Sequence, residues 1–459
     1  MRLFKAEKIL LIITLIFSAN QHCAASETGG QKPVARNNIT DLIELQEELT
    51  LEECINIALE NNPDITQGKW NIEVAKAEAD ISAGQLWPTI QAALGYNYYL
   101  DNQRLVSPKI PAESSTFTND IISGDIVLRL PLYTGGRLQN LFKSKNYLTE
   151  SSGNMLMHTR REVVFKVSHV FYSILGHEKV KDSLVFSQQV LEEHHKRVCE
   201  LMEVEKAARV DILRTEVRLA DIEQRLLREN NILDLQKALL ENLLGVNTLS
   251  RPLDVKGELT LYDLSIDLNQ SISEAFNQRR DFQALQSRVE AQKKNVDIFE
   301  AGYRPIVSLE ATYGARWTAG QTIGGSDTSE DVGRVGVVAE IPLFEGGQIR
   351  ARIRRERSKL WVEKESLRNL QLRIKLEVKI AVSNIESTKA RVRATEKAVE
   401  QAKESLRIER EKYDLGKGTI IDVLDAQSAM LESQTNYYSS LVDYNVAVAG
   451  WYLAVGREK

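Results

Sequence analysis

Leu130-Pro131-Leu132-Tyr133-Thr134-Gly135-Gly136 returns as Ile341-Pro342-Leu343-Phe344-Glu345-Gly346-Gly347, at an offset of 211 residues. The proline and the paired glycines punctuate a turn. In both copies a stretch with period-two alternation precedes the motif and a long stretch without proline follows it. Asp211 and Asp422, and Gly245 and Gly456, stand at the same offset. Upstream, Leu51 to Ile65 aligns with Leu268 to Phe282 at an offset of 217, with Ala58 on Ala275 and Asp64 on Asp281. The six-residue difference falls between the strand candidates, where the second half has a shorter loop. The chain therefore reads as two similar halves, 51–246 and 268–456, joined by 247–267. A repeat of this kind marks one supersecondary unit built twice. A 26–50 segment precedes the halves and a 457–459 tail follows them.

Each half predicts the same order of elements. A helix of about 20 residues follows Pro63 and, in the second half, Asp281; it ends before Pro88 or Pro305, because the residue before proline avoids the α region. Two strands come next, closing on strand-to-helix turns at Pro131, Gly135 and Gly136 and at Pro342, Gly346 and Gly347. A very long helix then runs out and a second one runs back.

The strand candidates alternate with period two. Ile90, Ala92, Leu94, Tyr96, Tyr98 and Leu100 share one face, as do Val307, Leu309, Ala311, Tyr313, Ala315 and Trp317. The returning strands place Ile122, Gly124, Ile126, Leu128 and Leu130, and Val335, Val337, Ala339, Ile341 and Leu343, on an apolar face. Ser123, Asp125, Arg129, Glu310, Arg316, Arg334 and Glu340 oppose them. One reading is a half-buried sheet of a soluble sandwich. The other is a membrane barrel, apolar outside and polar inside, with Tyr96, Tyr98, Tyr99, Tyr133, Trp317 and Phe344 as an aromatic belt. Runs of about ten residues suit tilted spanning strands. Four strands cannot close around a pore, which takes about eight, and open edges cannot sit in lipid. A membrane barrel would therefore have to be shared by several chains.

From Gln348 to Leu415 there is neither glycine nor proline. Ile353, Leu360, Leu367, Ile374 and Ala381 keep a heptad step, which shifts by four residues and continues through Ile385, Val392, Val399, Leu406 and Tyr413. Such a stutter relaxes the supercoil locally. Val423, Met430, Tyr437, Tyr444 and Trp451 carry the seam of the return helix, and Ile212, Leu219, Leu226, Leu233 and Leu240 its counterpart. Heptads sustained over this length mean long helices packed side by side. The basic residues from Arg350 to Arg357 read as a solvated face.

The 459 residues carry a net charge of −5, which gives no basic excess for nucleic acid. An apolar content of 43% excludes a disordered chain, and three cysteines exclude a disulfide-dense scaffold. Arg2, Lys5 and Lys8, the apolar run from Ile9 to Phe17 and the small residues up to Ser26 predict a signal peptide over 1–25. No second long apolar run suggests a helical membrane span. Asn20-Gln21-His22-Cys23 does not fit a lipidation site, and Cys54 and Cys199 are expected to stay unpaired. His194, His195 and Cys199 make a poor metal cluster, because adjacent side chains point about 100° apart on a helix. No phosphate loop, zinc motif, nucleotide fingerprint or nucleophile elbow is present. No cofactor and no enzymatic activity are expected.

The two-fold repeat, the paired Pro-Leu-aromatic-x-Gly-Gly and the run Tyr413-Asp414-Leu415-Gly416-Lys417-Gly418-Thr419-Ile420-Ile421-Asp422-Val423-Leu424-Asp425-Ala426 resemble TolC-type outer-membrane efflux proteins. The resemblance implies an α+β membrane protein in which three chains form one β-barrel, four strands each, continued by a coiled-coil helical barrel across the periplasm. It implies a homotrimer in outer-membrane lipid, working with a periplasmic adaptor (membrane fusion) protein and an inner-membrane pump of the RND or ABC type, in efflux or type I secretion. It makes Asp422 and Asp425 acidic rings at the periplasmic entrance and Tyr413, Asp211 and Lys417 the tip gating bonds. Leu415 and Gly416 would dock the adaptor. Gly418 stands where the family often has arginine, and the first tip, Met202 to Asp211, lacks the glycine turn. The competing expectation is a soluble periplasmic coiled-coil scaffold without a barrel.

Overall fold

The computed structural model describes residues 48–107, 116–205, 208–246, 253–318, 320–324 and 329–457. The signal-peptide reading of 1–25, Cys23, nearly all of the 26–50 segment, residues 247–252 and the last two residues of the tail lie outside the described residues. The elements run α1 (Leu51–Asn61), α2 (Pro63–Gly84), β1 (Thr89–Arg104), β2 (Phe117–Tyr133), α3 (Arg137–Glu203) and α4 (Arg209–Leu244). They repeat as α5 (Leu268–Gln278), α6 (Arg280–Glu300), β3 (Ile306–Trp317), β4 (Ser329–Glu340), α7 (Gln348–Asp414) and α8 (Ile420–Val455). α1 and α5 were not anticipated, although Thr50 and Glu53 form a full capping box at the start of α1.

The four strands form one antiparallel sheet in the order β1-β2-β3-β4, with β1 and β4 as open edges. Its register carries one apolar row across the sheet: Ile90 faces Leu128, Leu128 faces Ala311, and Ala311 faces Val335. That face is bare, with Leu94 85% and Val335 75% exposed. The other face is charged and internally paired. Arg316 reaches Asp125 at 2.8 Å, and Glu310 stands 3.6 Å from Arg129 and 3.7 Å from Arg334. β3 and β4 have 12 residues each, whereas β1 and β2 have 16 and 17. The first hairpin is longer than expected because pairing resumes beyond a bulge between Tyr98 and Gln103. Ile341 and Leu343 follow β4 instead of belonging to it.

The helices lie in two tiers. Next to the sheet the order is α2-α3-α6-α7; farther away it is α4-α3-α8-α7. α3 and α7, 67 residues each, run through both tiers and are on the order of 100 Å long. Both begin on a left-handed glycine, Gly136 (φ 86°) and Gly347 (φ 82°), where a side chain would be strained. The heptad seam is inside: Ile353, Ile374, Ala381, Ile385 and Val392 are buried on α7, and Val423, Tyr444 and Trp451 on α8.

At the first helical tip the left-handed residue is Glu205 (φ 60°). A non-glycine residue there costs about 1 kcal/mol, so Glu205→Gly is expected to raise stability by up to that amount in urea unfolding of the helical part.

Where the tiers meet, α1 and α5 pack against the long helices. Asn62 is buried between α1 and α2; its Nδ2 donates to Leu243 O at 2.8 Å and its Oδ1 accepts from Asp64 N at 2.8 Å. The second half places Arg279 there, with its side chain 8% exposed and held by Asp281 and Glu377. Cys54 is fully buried in the first-half core, and burial pushes its thiol up to about 12, which makes it inert. Cys54 and Cys199 are both free.

Candidate channel entrance at the helical tip

The end of α7 farthest from the sheet turns into α8 through Leu415, Gly416, Lys417, Gly418 and Thr419. Lys417 N donates to Lys412 O at 2.8 Å and Gly416 N to Tyr413 O at 2.9 Å, which is a Schellman motif. Its left-handed position falls on Gly416 (φ 68°). Leu415 is left 71% exposed at the apex. A Cβ added at Gly418 would lie 3.1 Å from Lys412 Cβ, so a larger residue there would crowd the turn.

Thr419 caps α8. Asp422 N donates to Thr419 Oγ1 at 3.3 Å, and Asp422 Oδ2 accepts from Thr419 Oγ1 at 2.7 Å and Thr419 N at 3.0 Å. The Thr419 hydroxyl, then its backbone N–H, hold the Asp422 carboxyl below the usual carboxylate range. Asp422 and Asp425, three residues apart, are exposed on one stripe while Val423, Leu424, Ala426 and Gln427 are buried. Exposed Glu432 follows Asp425 by one heptad, and exposed Asp443 follows Asp422 by three. α8 carries no lysine or arginine. Every charged residue on its solvent face is therefore acidic.

The tip residues are placed as follows. The half-buried Tyr413 ring packs 5.2 Å from His194 of α3. Burial first, and the Asp211 charge second, raise the Tyr413 phenol. The Asp211 carboxylate caps α4, accepting from Ala208 N at 3.2 Å, with Arg214 at 3.8 Å. Among the described residues no hydrogen bond joins Tyr413 to Asp211, and Lys417 is exposed without an ion pair. Beside Tyr413, Arg197 of α3 bridges Asp414 of α7 at 3.3 Å. Farther up, buried Gln427 of α8 donates to Ser187 O at 3.1 Å.

Arg197, His194 and Gln427 were not singled out for this role by sequence. A helical-turn spacing from His194 to Arg197 was the available signal. Burial, then Arg410 and Arg197, lower the His194 imidazole, which favours its neutral form. His195 Nε2 stands 4.0 Å from Cys199 Sγ and 3.5 Å from Glu216. Among the described residues no three His, Cys, Asp or Glu side chains converge on a metal-sized site.

Known proteins match this arrangement along its length. The Outer membrane protein TolC of Vibrio cholerae is 21% identical over 411 residues, covering 88% of this chain and 90% of that protein. The Proteases secretion protein PrtF of Dickeya chrysanthemi is 21% identical over 395 residues, covering 81% and 80%. The crystal structure of the outer membrane protein VceC from Vibrio cholerae superposes with a TM-score of 0.73 at 18% identity, covering 89% of this chain and 96% of that one. The fold is the same: a strand pair and a pair of long helices, written twice, with the four strands joined in one β-domain. The sequence profile described as outer membrane efflux protein matches residues 54–246 and 271–457, and the chain belongs to that TolC-like family of non-enzymatic outer-membrane channels.

Proposed function

We propose that three copies of this chain form a passive exit duct through the outer membrane, completed by a periplasmic adaptor and an inner-membrane pump of the RND or ABC type. The observation that carries this reading is the sheet, with two open edges, one bare apolar face and one ion-paired face. A 12-residue strand at about 3.3 Å per residue, tilted about 45°, crosses roughly the 30 Å of bilayer hydrocarbon. Copies joined head to tail would give each β4 a β1, leave no edge in lipid and turn the charged face to the lumen.

The helices support the same closure. The open side of β1 lies with α2 and α4, and the open side of β4 with α7. These edge helices expose large apolar side chains: Trp70 on α2, Leu235 and Leu239 on α4, and Trp361, Leu376 and Ile380 on α7. A head-to-tail ring buries both sets. A soluble scaffold would leave the lipid-facing row and these edges in water.

At the far end, Asp422 and Asp425 from each copy ring the mouth, and the Arg197–Asp414 bridge with the His194–Tyr413 contact clasps the two helix pairs. Opening is a twist of α7 and α8 against α3 that parts this clasp. Tyr413, Asp211 and Lys417 act in that gate, and exposed Leu415 with Gly416 forms the adaptor contact. Planar-bilayer recording tests the mouth. Asp422→Ala with Asp425→Ala is expected to remove most of the cation preference and the block by multivalent cations, since close carboxylate rings set both. Unchanged selectivity would show that these residues do not line the path.

A further inference from the structure

The first turns of α7 carry a charge pattern that the duct itself does not use. Between Arg350 and Lys359 six residues are basic and only Glu356 is acidic, and all six basic side chains are exposed. Four have carboxylate partners. Arg355 and Lys359 share Glu356, at 2.7 and 3.1 Å, Arg357 meets Glu300 at 2.7 Å and Arg352 approaches Glu345 at 3.8 Å. Among the described residues Arg350 and Arg354, one helical turn apart, have none. The corresponding turns of α3 are less basic, with Arg137, Lys143 and Lys145.

The place of this cluster is what gives it meaning. β4 ends at Glu340, and Leu343 and Phe344 follow, 93% and 89% exposed. α7 starts at Gln348, so Arg350 and Arg354 lie within about 10 Å of its beginning. The order along the axis is a lipid-facing sheet, a bare leucine and phenylalanine, then arginines. It matches hydrocarbon, interface and phosphate across about 6 Å of headgroup layer. α7 and α3 also begin without an acidic residue in the first turn and without a side-chain cap, so two positive dipole ends face the same layer. Between them lies a cavity of about 540 Å³ lined by Arg137, Arg304 and Arg352 together with Glu340, Glu345 and Ile341.

We propose that this arginine collar binds the phosphate of anionic phospholipids at the membrane surface next to the helices. The inference rests on the shared barrel being embedded in lipid. A neighbouring copy is the competing occupant, because α2 on the opposite edge carries Glu73, Glu78 and Asp80. Two of these are already taken within the chain: Glu73 pairs with Lys76 at 2.8 Å and Glu78 with Lys145 at 2.6 Å. The unspent charge of Arg350 and Arg354 thus meets more unspent negative charge in a phosphate layer than in α2. Arginine suits phosphate through its forked donors.

Native mass spectrometry of the detergent-purified full chain tests this, with added phosphatidylglycerol or phosphatidylcholine of matched acyl chains. The trimer is expected to retain phosphatidylglycerol preferentially. Arg350→Gln with Arg354→Gln should lower that retention about thirtyfold, the effect of two arginines near an anionic surface, and leave phosphatidylcholine retention and the trimer unchanged. Equal retention of the two lipids by the wild type, or an unaffected variant, overturns the proposal. A variant that loses the trimer without changing lipid preference assigns the arginines to the neighbouring copy and overturns it too. A wild type that never forms a trimer overturns the duct reading, a result distinguishable from the others.

Discussion

Val335→Arg is expected to abolish stable insertion of the protein into the outer membrane, while Gly336→Arg, one residue on, leaves it intact. Val335 lies midway along β4 on the bare apolar face, opposite Ala311. An arginine facing lipid at the midplane costs about 2–4 kcal/mol in each chain, and a closed ring multiplies that by its number of copies. Gly336 points the other way, toward Glu310, and a Cβ added there would meet no atom within 4 Å. Fractionation and heat-modifiable gel migration read out both variants. If the sheet stayed in water with this face bare, arginine at the exposed Val335 would be as harmless as at Gly336.

Arg279→Met should destabilise the helical part by about 3–5 kcal/mol, the usual cost of leaving buried charges without their partner. The guanidinium grips Asp281 through Nη2 at 2.7 Å and Nε at 3.1 Å, and Glu377 through Nη1 at 2.5 Å. Asp281 sits at the start of α6 and Glu377 midway along α7, so one side chain ties three elements where the tiers meet. Burial alone would raise the Asp281 carboxyl, but the Arg279 hydrogen bonds more than offset this and its net shift is downward. A depressed carboxylate contributes stability that is full above its ordinary value of 3.8 and is lost as pH falls through the folded value. The variant should therefore lose stability mainly at neutral pH and much less in acid. Urea unfolding followed by helical circular dichroism at pH 7 and near pH 3 makes the comparison. An equal loss at both pH values would assign the effect to packing, not to the charge.

The elements that sequence made legible were those written as a period. The heptad from Ile353 to Tyr413 defines a buried seam because each residue alone decides its face. Alternation from Ile90 to Leu100 defines a sheet face for the same reason, and the Gly-Gly pairs mark turns because only they tolerate the backbone. Contacts between residues far apart were not legible. Nothing local says that Arg279 meets Glu377, that Arg197 bridges Asp414, or that Tyr413 packs on His194 while Asp211 caps its own helix. α1 and α5 went unassigned because 11 residues give few turns of periodicity, although Thr50 and Glu53 announced the first of them. The left-handed Glu205 was hidden because no glycine marked it.

The central claim is that the sheet is one part of a barrel shared by identical chains. Native mass spectrometry of the membrane-extracted protein tests it most directly. The account predicts a complex of three chains that needs detergent to stay in solution. A monomer that remains soluble without detergent would contradict it.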